Sequence, residues 1–293
     1  MGGKGWMGGT RKIGKTVLVC ALLFLPAFPA PPARPALPTS ARRASVGKPA
    51  LLAIPALLAQ PLDRLSGKVV SDRGEVIKDA DVRVEALFGF AGGSYLGQRT
   101  FAAKSDVKGN WALLGFKSGI WVFDASAPGQ IPDAVALPFN LVTPAGTGLS
   151  GMGPVWHPVL KPTAVPDGDI GQMLVEAADA ARAGRPERVV PILSRLSDSN
   201  DVNVLTAAGR ICLLMRDATV ARPLFRRAYE RDPSSFRAVL GMGSTALMQR
   251  DVDAAAKAFG EARNLTKDKD ERGYLSAAIS ELNKAHNVMR GTY

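Results

Sequence analysis

The chain has 293 residues, room for about two domains of ordinary size, and its 46% apolar, 22% charged composition is that of a globular protein. A net charge of +11 invites a nucleic-acid partner, but eight of the 37 basic residues fall within residues 1–59, which hold no acid, and the remaining 29 bases face 26 acids. The folded part therefore lacks the positive field that steers polyanions, and no nucleic-acid partner is expected. The two cysteines, Cys20 in an apolar run and Cys212 in a predicted helix, do not make a disulfide framework.

Residues 1–61 read as a targeting and unstructured segment. A basic stretch at 4–15 is followed by an apolar run at 16–25 and a small-residue exit at 26–30, the parts of a secretory signal. The run is shorter than the roughly 20 residues that span a bilayer comfortably; left uncleaved, it would serve as a membrane tether. Arg42 and Arg43 precede a second apolar run at 49–59, an alternative signal with its exit near Ala59. Either reading predicts an exported protein of bacterial type, placed in the periplasm or cell envelope, secreted, or held at the membrane. The stretch GTRKIGKT at 9–16 matches the phosphate-loop pattern letter by letter, but no strand can precede it and the signal core follows. Gly146, Gly148 and Gly151 match a dinucleotide pattern but run into Gly153 and Pro154, so no helix can follow.

From about residue 62 to 162, short alternating runs at 8–12-residue spacing predict an all-β sandwich. Strands are expected at 67–72, 82–86, 99–104, 111–115 and 121–126, with a last one at 155–161 and turns at 73–74, 105–110, 117–119 and Gly129. Residues 139–169, apart from that last strand, read as loop, with the linker at 163–169. Gly67-Lys68-Val69, then Gly74, then Ala80-Asp81-Val82-Arg83-Val84 resemble the opening of the carboxypeptidase regulatory-like domain. Ser105-Asp106 with Gly109-Asn110-Trp111 resembles its turn, and Gly119-Ile120-Trp121 with Ala125 to Gly129 its closing strands. The resemblance covers about 100 residues. It implies a transthyretin- or Ig-like sandwich of about seven strands that serves as an accessory domain on exported proteins. Related sandwiches bind carbohydrate, so polysaccharide is the alternative partner, with Tyr95 and Trp156 as stacking platforms. Trp111 and Trp121 alternate inward and read as core.

After residue 169 the period becomes helical. Gly209, Ala221, Phe225 and Ala228 recur 34 positions later as Gly243, Ala255, Phe259 and Ala262, while Pro233 is succeeded by Lys267. Small residues let paired helices approach, the phenylalanine fills the space between hairpins, and proline ends the unit. The pattern resembles the tetratricopeptide repeat over at least residues 202–269. An earlier hairpin is expected with a first helix at 173–183 and a turn at Pro186, and a capping helix at 271–289, which makes 170–289 an all-α hairpin array. The resemblance implies a concave face lined by Asn203, Thr206, Arg210, Arg237 and Ser244. Arg210 and Arg237 are the groups that could grip a peptide carboxylate.

Two histidines and the cysteine count build no metal site, and no nucleophile motif has its structural context, so neither enzyme activity nor a cofactor is expected. The sequence thus predicts a mixed, two-domain chain, sandwich then helical array, acting as a non-catalytic binding scaffold for a protein or peptide.

Overall fold

In the computed structural model, residues 64–88, 100–114, 119–139 and 157–290 are described, and all belong to one compact unit, Ile54–Tyr293. The targeting segment, both glycine motifs, Tyr95 and Trp156 lie outside the described residues. A β-rich half is followed by an array of helices, as expected.

Among the described residues, seven strands form the two main sheets of the β-rich half. Strands β1 (Arg64–Val69), β4 (Asn110–Leu114) and β8 (Val159–Leu160) make one sheet, in the order β4-β1-β8. Strands β2 (Asp81–Phe88), β3 (Thr100–Lys104), β5 (Gly119–Ser126) and β7 (Asp133–Phe139) make the other, in the order β3-β2-β5-β7. A small third pair joins β6 (Gln130–Ile131) to β9 (Thr163–Ala164). The alternation read in the sequence is kept in β2, where Val82, Val84 and Ala86 are buried and Asp81 and Arg83 are exposed. Trp111 and Phe123 meet across the two main sheets with ring centroids 6.3 Å apart, and Phe101 packs on Trp121 at 5.7 Å. Both tryptophans are core. Gly67 is required because a Cβ there would stand 2.5 Å from the Trp111 ring and 2.4 Å from the Pro158 carbonyl. Asp106 makes the expected turn, its Oδ1 accepting from the backbone N–H of Lys108 and of Asn110.

The helical half has seven helices: α1 (Asp169–Arg182), α2 (Pro186–Leu196), α3 (Val202–Leu214), α4 (Ala218–Arg231), α5 (Phe236–Met248), α6 (Val252–Leu265) and α7 (Lys269–Arg290). The 34-residue repeat is visible in geometry. A Cβ on Gly209 would lie 2.7 Å from the Phe225 ring, and one on Gly243 would lie 2.5 Å from the Phe259 ring. Each first helix therefore lies flat against the phenylalanine of its own second helix. Arg216 and Arg250 close equivalent hairpins with φ of 62° and 63°. Asp217 and Asp251 then cap α4 and α6 through their side chains.

Two strands depart from the sequence expectation. No strand is expected between the turn at Gly129 and residue 155, yet Asp133–Phe139 form β7, which is buried along its whole length. The outer face of β5, where Asp124 and Ser126 alternate with the core residues Trp121, Phe123 and Ala125, is buried as well. The cause is the same for both: β7, and to a lesser extent β5, packs against the first helices of the array, α3 and α5, with α7 adding to β7. A strand covered on both faces loses its polar face and its alternation together.

Candidate functional site

The inner face of the array is where the two halves meet, and its polar residues are largely committed to that meeting. Arg210 on α3 is 5% exposed. Its guanidinium reaches Asp133 at the start of β7, 3.3 Å away, and donates to the Thr163 hydroxyl at 2.9 Å. Asp133 in turn accepts from the backbone N–H of Lys161 at 2.7 Å and of Ala134 at 3.1 Å, so one buried carboxylate ties β7, the β8–β9 turn and α3 together. Burial first, and then the nearby charge of Arg237, pull the Arg210 guanidinium down to about 10, which leaves it charged at neutral pH. Ser244 on α5 is fully buried, and its Oγ accepts from the backbone N–H of Ala136 on β7 at 3.2 Å. That bond satisfies a donor on the sheet edge that would otherwise be orphaned. The Thr206 hydroxyl is buried and donates to the Asn203 carbonyl.

The structure therefore corrects the expectation that these five residues line an open concave face. A strand of the same chain fills most of it. Ser244 holds that strand, Arg210 is neutralised by Asp133, and Thr206 is covered. Asn203, which is exposed, and Arg237, which is half-buried, still border free space, and the buried Thr206 and Arg210 reach its wall.

That space is a two-lobed cleft between the halves. The smaller lobe, about 240 Å³, has Asn203, Thr206, Arg210 and Arg237 on one wall and Ile131, Thr163 and Ala164 on the other. The larger, about 400 Å³, is lined by Val159, Phe236, Leu240, Leu265 and Tyr274 together with charged groups. Asp72 and Arg237 border both lobes. The sequence reading missed Asp72, Lys161, Glu271 and Tyr274, because each enters the cleft through a contact distant in the chain.

Electrostatics closes the far end of the larger lobe. Lys161 Nζ lies 2.6 Å from Glu271 Oε1 and 3.0 Å from Asp268 Oδ2. The Thr266 hydroxyl donates to the other oxygen of Glu271. Burial works to lower the Lys161 ammonium, but its bonds to Glu271 and Asp268 outweigh that and hold it above its ordinary value. Tyr274, wholly buried, is pushed well above its ordinary value by that burial and by Glu271. A second charge cluster joins the halves further along: Arg216 sits 3.0 Å from Glu85 and 3.6 Å from Asp124. Burial raises the Asp124 carboxyl above its ordinary value despite Arg216, whereas at Glu85 burial is outweighed by Arg216 and Arg83 and the net shift is downward.

Another cavity, about 680 Å³, lies between residues 165–168 and α1. Its charged lining, Glu176, Asp179, Arg185 and Arg188, is exposed, and the Glu176–Arg188 pair at 3.0 Å is about half in solvent. Groups so hydrated contribute little to binding, so the cleft between the halves is the stronger site. Among the described residues no three His, Cys, Asp or Glu side chains come together to hold a metal ion, and no helix is long and apolar enough to cross a membrane.

No protein-family model matches the chain, and no curated protein is similar to it. Among solved structures, it is similar to the first TPR domain of the human RPAP3 protein, determined by NMR. The likeness covers 42% of this chain and 97% of that one, at 12% identity and a TM-score of 0.36.

Proposed function

We propose that this chain is an exported, non-catalytic scaffold that holds a protein or peptide partner in the cleft between its β-rich half and its helical array. The observation that carries the reading is Arg237. It lies at the junction of both lobes, half-buried, and among the described residues it has no carboxylate within ion-pair distance; its Nη1 donates only to the Lys161 carbonyl at 3.3 Å. A guanidinium held beside apolar walls and left without a counter-ion is suited to receive a carboxylate. The basic and apolar character of residues 1–59 supports the export half of the reading. The repeat geometry of α3 to α6 supports the scaffold half, because such hairpins stack into binding surfaces. The resemblance of residues 67–129 to the carboxypeptidase regulatory-like domain fits an accessory role for the β-rich half. Trp111 and Trp121 are buried in the core of that half.

The test is affinity capture from an envelope extract with the full chain, comparing wild type with Arg237→Ala and with Arg226→Ala, an exposed arginine on α4. A specific protein retained by wild type and Arg226→Ala but lost from Arg237→Ala is the expected result. Retention that is indifferent to Arg237 would refute the cleft as the partner's seat.

A further inference from the structure

The charges around the cleft differ in whether they are already satisfied, and that difference specifies a ligand. Arg210 is neutralised by Asp133, and Lys161 by Glu271 and Asp268. Two groups that border both lobes are not. Arg237 has no acidic partner, and Asp72, exposed on the turn after β1, makes no hydrogen bond or ion pair with any described residue, although its charge reaches Arg210. Lys267 stands exposed at the rim of the larger lobe and adds positive charge on that side. The same lobe is lined by the apolar side chains of Val159, Phe236, Leu240 and Leu265.

We infer that the cleft takes a short free peptide as a zwitterion, its terminal carboxylate on Arg237, its ammonium on Asp72, and one apolar side chain in the larger lobe. The inference rests on the reading of the cleft as the partner's seat and narrows what sits there. A simple organic acid would leave Asp72 unused. A long extended chain finds no path, because β7 occupies the rest of the inner face, with its Ala136 N–H bonded to Ser244. Lobes of about 240 and 400 Å³ are in or near the size range of small-ligand sites. Asp72 comes from the β-rich half and Arg237 from the array, so only the joined halves present both ends of the ligand.

Calorimetric titration of the full chain with the tripeptides Ala-Leu-Ala and Ala-Phe-Ala, each also as its C-terminal amide and its N-acetyl form, tests this. Binding of the free tripeptides should weaken at least about tenfold on amidation, the usual worth of one charge-assisted bond to the half-buried Arg237, and by up to about fivefold on acetylation, because Asp72 is exposed. Arg237→Gln should abolish the discrimination against the amide, and Asp72→Asn that against the acetyl form. Asp72 is exposed, so its replacement leaves the fold intact. Equal binding of free and acetylated forms overturns the inference. If no tripeptide binds while a protein is still captured through Arg237, the inference fails and the scaffold reading stands. If neither is seen, both fail.

Discussion

Replacing Arg210 with methionine removes one partner of a buried ion pair while keeping most of the side chain's volume. Breaking such a pair costs about 3–5 kcal/mol, chiefly because the remaining charge is stranded. Asp133 would still accept from the N–H groups of Lys161 and Ala134, so the lower end, about 3 kcal/mol, is expected. For a chain with a folded part of this size that lowers Tm by about 6–12 °C. The double variant Arg210→Met/Asp133→Asn keeps an acceptor for Lys161 N–H but has no stranded charge, and it should recover most of the loss, to within about 1 kcal/mol of wild type. The assay is urea unfolding followed by circular dichroism, with thermal melts alongside. A single variant within about 1 kcal/mol of wild type, or a double variant worse than the single, would refute the view that this pair clamps β7 to the array.

Three other outcomes follow from the same contacts. Gly241→Ala places a Cβ 2.2 Å from the Phe225 ring and should cost about 1–3 kcal/mol, whereas Gly260→Ala, with nothing within 4 Å, should stabilise by up to about 1 kcal/mol through helix propensity; chemical denaturation of the two variants checks the contrast. Glu85 and Asp268 titrate below their ordinary values in the folded state, so the stability they supply is present above the unfolded carboxylate range and is lost as pH falls through the folded values. Asp124 is shifted upward, so its contribution is full below that range and is lost as pH rises through its folded value; in urea titrations against pH, Glu85→Gln or Asp268→Asn should flatten the acid limb and Asp124→Asn should steepen it. Ser244→Ala leaves the Ala136 N–H without an acceptor and should cost about 1–3 kcal/mol, with faster hydrogen exchange along β7 as the readout.

The repeat was legible in the sequence because its contacts are local. Gly209 and Phe225 lie in one hairpin, as do Gly243 and Phe259, and the spacing that packs them is printed in the chain. Strands β2 to β5 were legible for a related reason: turn residues such as Asp106 and Gly109 bound them, and β2 and β4 alternate. What stayed hidden was long-range. The sequence of β7, DAVALPF, reads as neither strand nor helix, because burial on both faces removes periodicity and Pro138 argues against a central strand. The proline is tolerated because β7 is the edge of its sheet. With β7 unseen, buried polar groups on the first helices, Thr206, Arg210 and Ser244, could only be read as a face waiting for a ligand. Arg210 and Ser244 are partnered by the chain's own strand β7, and Thr206 by the Asn203 carbonyl of its own helix. Arg237 and Asn203 were legible as site residues. Asp72, which borders the same cleft from a turn in the other half, could not be.

The most direct measurement is site-specific photocrosslinking in cells that make the full chain, with the photoreactive side chain at Asn203 in the cleft or at Lys257 on the exposed side of α6. A discrete adduct from Asn203 that is absent from Lys257 and lost on adding Arg237→Ala is the predicted result. An adduct formed equally from Lys257, or none from Asn203, would contradict a partner seated between the two halves.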